Sequence, residues 1–209
     1  MAQRTGRAVG IDIDPAMIAV ARAASEIAND RIDWRCGDAG RLEFDDAEFD
    51  LCLCIQGLQH FSDREQALNE IRRILKPSGR FVAAVWASME YTPGLLAVLH
   101  ALEMEQIDAS AFKRPFTLGD PDVLEGLVRR AGFATVDVRA HERPARFSSI
   151  DAFLLALRAG SAASRSALEH VAQDRRSAFA AAVQQRMAKF VRADTVEFPY
   201  RAHIVFATA

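Results

Sequence analysis

One stretch constrains this chain more than any other: Val9-Gly10-Ile11-Asp12-Ile13-Asp14-Pro15, a short apolar run that ends in an acid and meets a Pro-started helix at once. The run reads as a strand. An acid at the carboxyl end of such a strand stands where α/β proteins hold the two hydroxyls of a ribose. Asp14 can cap the helix, Pro15 suits its first position, and Met17, Ile18, Ala21, Ala24 and Ile27 recur as an apolar stripe. The alternation Ile32, Trp34, Cys36 then predicts a second strand near a sheet edge, and Gly37-Asp38-Ala39 follows it.

The alternation of strand and helix continues. Phe49 to Ile55 is almost continuously apolar, which predicts a strand covered on both faces. Ser62-x-x-Glu65 reads as a capping box for a helix carrying Ala67, Leu68, Ile71, Ile74 and Leu75. Lys76-Pro77-Ser78-Gly79 reads as its end and a turn, before a strand over Arg80 to Trp86. Helices are expected from Pro93 to about Ile107 and from Asp120-Pro121 to a stop at Gly132. A long strand is expected over Thr135–Phe147, two helical stretches over 149–159 and 162–192, and a closing strand over Val196–Ala207. This rhythm predicts an α/β fold with a mostly parallel sheet and helices on both faces. We read residues 1–209 as one domain: 1–86, 87–134 and 135–209, with a helical insertion at 148–192.

Composition narrows the function classes. The 209 residues are 50% hydrophobic and 26% charged, as in globular domains, and the net charge of −2 gives no basic surface for nucleic acid. No run reaches the length of a membrane span. Three cysteines, Cys36, Cys52 and Cys54, form neither a disulfide framework nor a metal-ligand spacing, and residues 1–8 lack the apolar core of a secretory signal. The expectation is a cytoplasmic protein without a metal.

Together, Gly10–Pro15, Gly37–Ala39, Phe49–Cys54 (F-D-L-C-L-C) and Leu75–Arg80 (L-K-P-S-G-R) resemble, in order and spacing, the class I S-adenosylmethionine-dependent methyltransferases of small molecules, which have a Rossmann-like core. The resemblance runs from about Gly6 to Ala209. It implies an antiparallel C-terminal strand and S-adenosyl-L-methionine as cofactor. Asp12 would hold the ribose, and Ile13 and Met17 would lie against the adenine. Asp38 would accept from the adenine amino group, with Gly37 and the Ala39 backbone beside it, and Cys54 and Ile55 would lie near the methionine part. Gln56, Gln59, His60 and Trp86 cluster where the acceptor would sit, and His60 is the candidate for proton removal. The partner implied is a small-molecule methyl acceptor.

The chain departs from that family at its start. The family's first strand, with an acid and a G-x-G-x-G turn, has no counterpart in the sequence. We therefore expect an N-terminally truncated methyltransferase, with unpaired edges on Ala8–Ile13 and Phe49–Ile55 and fewer cofactor contacts. Three alternatives remain: a non-catalytic remnant or interaction module of the same fold, a half-site completed by a second chain or a homo-oligomer, and a nicotinamide-dependent oxidoreductase. The oxidoreductase needs a dinucleotide glycine fingerprint, which is absent too, and does not account for Gly37-Asp38-Ala39.

Overall fold

The computed structural model of the protein describes residues 6–28, 31–192 and 195–209. Strand β1 (Ala8–Asp12), helix α1 (Pro15–Ala28) and strand β2 (Ile32–Cys36) form a right-sized parallel crossover, with Asp12 opposite Cys36. Strand β3 (Phe49–Ile55), helix α2 (Arg64–Ile74) and strand β4 (Leu75–Trp86) form a second one. Then come α3 (Pro93–Met104), α4 (Ser110–Lys113), α5 (Pro121–Arg130), β5 (Thr135–Phe147), α6 (Ile150–Gly160), α7 (Ala162–Glu169), α8 (Arg176–Arg186), β6 (Val191–Arg192) and β7 (Thr195–Thr208). The larger sheet has the order β3-β4-β7-β5, with β6 beside β7; β7 runs antiparallel to β4 and β5. Asp120 caps α5 by accepting from the Asp122 and Val123 N–H groups, and Gly132, at φ +85°, ends that segment as expected.

Among the described residues, β1 pairs with β2 alone and β3 with β4 alone, so two parallel strands each keep an open edge. Arg7, just ahead of β1, pairs with Glu48, just ahead of β3, at 2.7 Å. One ion pair thus ties the amino-terminal side of β1 to that of β3.

Two apolar cores hold the fold. On one face of the larger sheet, Phe81, Ala83, Val85 and Val205 pack with Leu68 and Leu124 from α2 and α5. The second core joins α3, α6, α7 and α8 to the far half of β7 through Phe198.

Five expectations are corrected. First, β3 is not covered on both faces. Cys52 and Cys54 face the core, and burial pushes their thiols up to about 12 and about 11. Leu53 and Ile55, on the opposite face, are 61% and 62% exposed, and Phe206 further across that face is 41% exposed. Second, the α1 stripe buries Ile18 alone; Met17, Ala24 and Ile27 are exposed. The reason is common to both: no described element covers these surfaces.

Third, Asp63, not Ser62, caps α2, accepting from Gln66 N–H at 2.9 Å. A carboxylate suits a helix N-terminus better than a hydroxyl, and Glu65 pairs with Arg130 instead of reaching back. Fourth, Leu75 already pairs with Phe49, so Lys76–Gly79 is an irregularity within β4, with Ser78 at φ +65°, and not a turn ahead of it. Fifth, the stretch 162–192 is broken. Residues 170–175 carry one apolar side chain beyond alanine, Val171. A break there lets Leu168 and Phe179 reach the same core, which a continuous helix of weak stripe does not favour.

Candidate functional site

The carboxyl ends of the parallel strands carry the candidate residues: Asp12 at the end of β1 and Asp38 after β2 in the small sheet, Gln56 after β3 and Trp86 at the end of β4 in the larger one. The crevice outside the carboxyl ends of such strands is where α/β folds bind ligands.

Asp12 is fixed from two sides. Its Oδ1 accepts from the Asp14 N–H at 2.8 Å, and its backbone carbonyl accepts from the Gly37 N–H at 2.9 Å. The second bond ties the two acid-bearing loops together. Asp38 Oδ1 accepts from Gly40 N–H at 2.8 Å, and the Asp38 carbonyl accepts from Arg41 N–H. In both acids the second carboxylate oxygen has no partner among the described residues. Gln66 Nε2 donates to the Gly40 carbonyl at 2.8 Å, so the start of α2 supports the Asp38 loop. Ile13 is 70% exposed and Met17 53% exposed beside these acids. Met17 therefore belongs to the open surface and not to the core, the other role its helical spacing allowed. Two carboxylates with free oxygens and two exposed apolar side chains are the chemistry that a nucleoside requires: acceptors for hydroxyl and amino groups, and apolar cover for a base.

At the end of β3, Cys54 is buried, Ile55 is exposed, and Gln56 turns the chain with φ +58°. Gly57 leads into a short 3-10 turn, Leu58–His60. Gln59 Nε2 donates to Gln56 Oε1 at 2.7 Å, so two residues singled out in the sequence are directly bonded. Gln59 Oε1 is buried without a partner among the described residues, a state that costs about 1–3 kcal/mol. Arg64 clamps this turn by donating to the Gln59 carbonyl at 2.9 Å and to Thr117 Oγ1 at 2.8 Å. His60 lies on the exposed side. Partial burial, then the nearby Arg114 and Arg64 charges, hold its pKa below the ordinary 6.5, so the imidazole is neutral at pH 7.

Trp86 packs edge-on against Tyr200, with ring centroids 4.7 Å apart. Burial pushes the Tyr200 phenol up to about 12. Arg201 stacks on Tyr91 at 4.3 Å and donates to Glu142 at 2.8 Å. Tyr91, Tyr200 and Arg201 had no local sequence signal. Tyr200 and Arg201 reach the edge because β7 returns antiparallel beside β4 with Ala202 opposite Trp86, and Tyr91 lies in the short 3-10 turn after β4, Met89–Tyr91.

Residues 1–83 match the family described as "Methyltransferase domain". Over 116 residues the chain is 36% identical to 2-methoxy-6-polyprenyl-1,4-benzoquinol methylase of Danio rerio, a match that covers 54% of this chain and 33% of that protein. The solved structure of the YcgJ protein from Bacillus subtilis superposes with a TM-score of 0.62 at 17% identity, covering 97% of this chain and 82% of that one. Phosphoethanolamine N-methyltransferase 2 of Haemonchus contortus, solved with S-adenosylhomocysteine, gives 0.54 at 19% identity, covering 96% and 43%. The chain spans between a third and three fifths of the length of the curated relatives it matches, 33% in one case and 58% in another. Asp12 and Asp38, the acids of the carboxyl edge, both lie within the matched region, and the sheet behind them has the fold of those structures. Residues 1–83 therefore carry the match to a methyltransferase domain, and the chain shares the fold of those structures.

Proposed function

We propose that the protein transfers a methyl group from S-adenosyl-L-methionine to a small-molecule acceptor. The observation that carries this reading is the pair Asp12 and Asp38: two carboxylates at and just after the ends of neighbouring parallel strands, joined through Gly37, each with one oxygen that has no partner among the described residues. Asp12 would hold the ribose hydroxyls. Asp38 and the Ala39 N–H would meet the adenine edge, with Ile13 and Met17 against its face. Cys54 and Ile55 would border the methionine part. The sulfonium, when bound, supplies the activated methyl group. The chain's own task is alignment and exclusion of water. Gln56, Gln59 and Trp86 border the acceptor side, and His60, neutral at pH 7, would take a proton from an acceptor hydroxyl. The quinol substrate in the Danio rerio relative's name agrees with an aromatic acceptor beside Trp86 and Tyr200.

Calorimetric titration of the 209-residue chain tests the cofactor assignment. We expect micromolar binding of S-adenosylhomocysteine and none of NAD. Binding of NAD alone would move the protein to the oxidoreductases. A folded chain that binds neither would be a non-catalytic member of the fold.

The finer reading is that one more parallel strand, with a glycine-rich turn and a helix, completes the slot between β1 and β3. Its support is the two open edges, the Arg7–Glu48 tie at their base and the bare apolar face of Leu53, Ile55 and Phe206. We read that element as part of a longer polypeptide, in a cytoplasmic protein given its few unpaired thiols; a second copy is the other source. Amide hydrogen exchange of β3 checks this. The amides turned away from β4 should exchange fast in this chain alone, and protection there at high concentration would point to a second copy.

A further inference from the structure

One buried group is left unexplained by the contacts above. Gln59 is 1% exposed, and its Oε1 has no partner among the described residues. An apolar side chain of that volume would fill the same space without an orphaned oxygen. The polar contact that the Gln59 amide does make is its 2.7 Å bond to Gln56 Oε1. A second, independent observation also points to Gln56. Its backbone lies in the left-handed region, φ +58°, which a non-glycine residue keeps where its surroundings hold it there. The Gln56 N–H anchors that turn by donating to the Ala84 carbonyl at 2.8 Å.

The bond from Gln59 decides which way the Gln56 amide faces. With Oε1 occupied, the Gln56 Nε2 keeps two N–H donors that have no partner among the described residues. Gln56 follows the carboxyl end of β3, as Asp12 and Asp38 stand at and after the carboxyl ends of β1 and β2. A ligand whose adenosine lies on the two acids reaches Gln56 with its other end. In a sulfonium nucleoside that end is an amino acid, and its carboxylate takes N–H donors.

We propose that Gln59 is a positioning residue that turns the Gln56 amide N–H groups toward the carboxylate at the amino-acid end of the cofactor, an assignment that rests on the cofactor reading above. The test compares S-adenosylhomocysteine with 5′-methylthioadenosine, which keeps the adenosine and the thioether and lacks the amino acid. Both are titrated calorimetrically into the full chain. Gln59→Met should weaken S-adenosylhomocysteine about 3- to 10-fold and change methylthioadenosine less than about 2-fold. Its melting temperature should not fall, because the orphaned oxygen is gone. Gln56→Met, at a half-buried position, should show the same selective loss, and the double variant should lose no more than either single one. The Gln56 variant decides the question if Gln59→Met does not fold. Equal weakening of both ligands, or no change in either, overturns the assignment while the cofactor reading stands. Failure of both ligands to bind the unaltered chain overturns the two together.

Discussion

Asp12→Ala should weaken S-adenosylhomocysteine roughly 10- to 100-fold, the equivalent of about 1.5–3 kcal/mol for hydrogen bonds to a charged group. The carboxylate holds the Asp14 N–H with Oδ1 and keeps its other oxygen free at the strand end. The alanine therefore loses both the local turn and the ligand acceptor. Asp12→Asn separates the two. An asparagine Oδ1 still accepts from the Asp14 N–H, so the turn stays, while the charge is gone. Titration of both variants should give an intermediate affinity for asparagine. An unchanged affinity for Asp12→Ala would refute the ribose assignment.

Phe198→Ala should cost about 3–5 kcal/mol of stability, read from urea unfolding. Phe198 is 1% exposed. Its ring meets Phe153 at 5.1 Å and Phe147 at 6.0 Å and lies over Gly94, where a Cβ would come within 2.4 Å of it. It is the point at which α3 and α6 are fastened to β7, the strand that also brings Tyr200 and Arg201 beside the end of β4. Phe206→Ala, on the same strand, removes a ring that is 41% exposed on the uncovered face, and should cost about 1 kcal/mol or less. Equal losses at the two positions would mean that the bare face is covered in solution.

The local elements were legible because their signals are local. Pro15, Asp120 and Gly132 set helix ends through their own backbone chemistry, and Thr135–Phe147 matched its strand residue for residue. The acid-ended strand and Gly37-Asp38-Ala39 were placed correctly at the ends of β1 and β2 for the same reason: both follow their strands directly. The corrections arose where a residue's fate depends on a distant neighbour. An apolar run tells how much a strand could bury, not whether anything comes to cover it. The runs of β3 and α1 therefore read as core, although Leu53, Ile55 and Ile27 are exposed.

What the sequence determined by itself is the order of strands and helices, the places of the two acids after their strands, and the match of residues 1–83 to a methyltransferase domain. Each rests on short-range patterns of polarity, capping and turn chemistry. What the tertiary structure alone decided is the assembly. It put β1 and β3 in separate sheets, placed β7 between β4 and β5, and bonded Gln59 to Gln56. These outcomes turn on which strand edges pair and which faces are covered. Pairing and coverage are properties of elements far apart in the chain, so no local stretch encodes them.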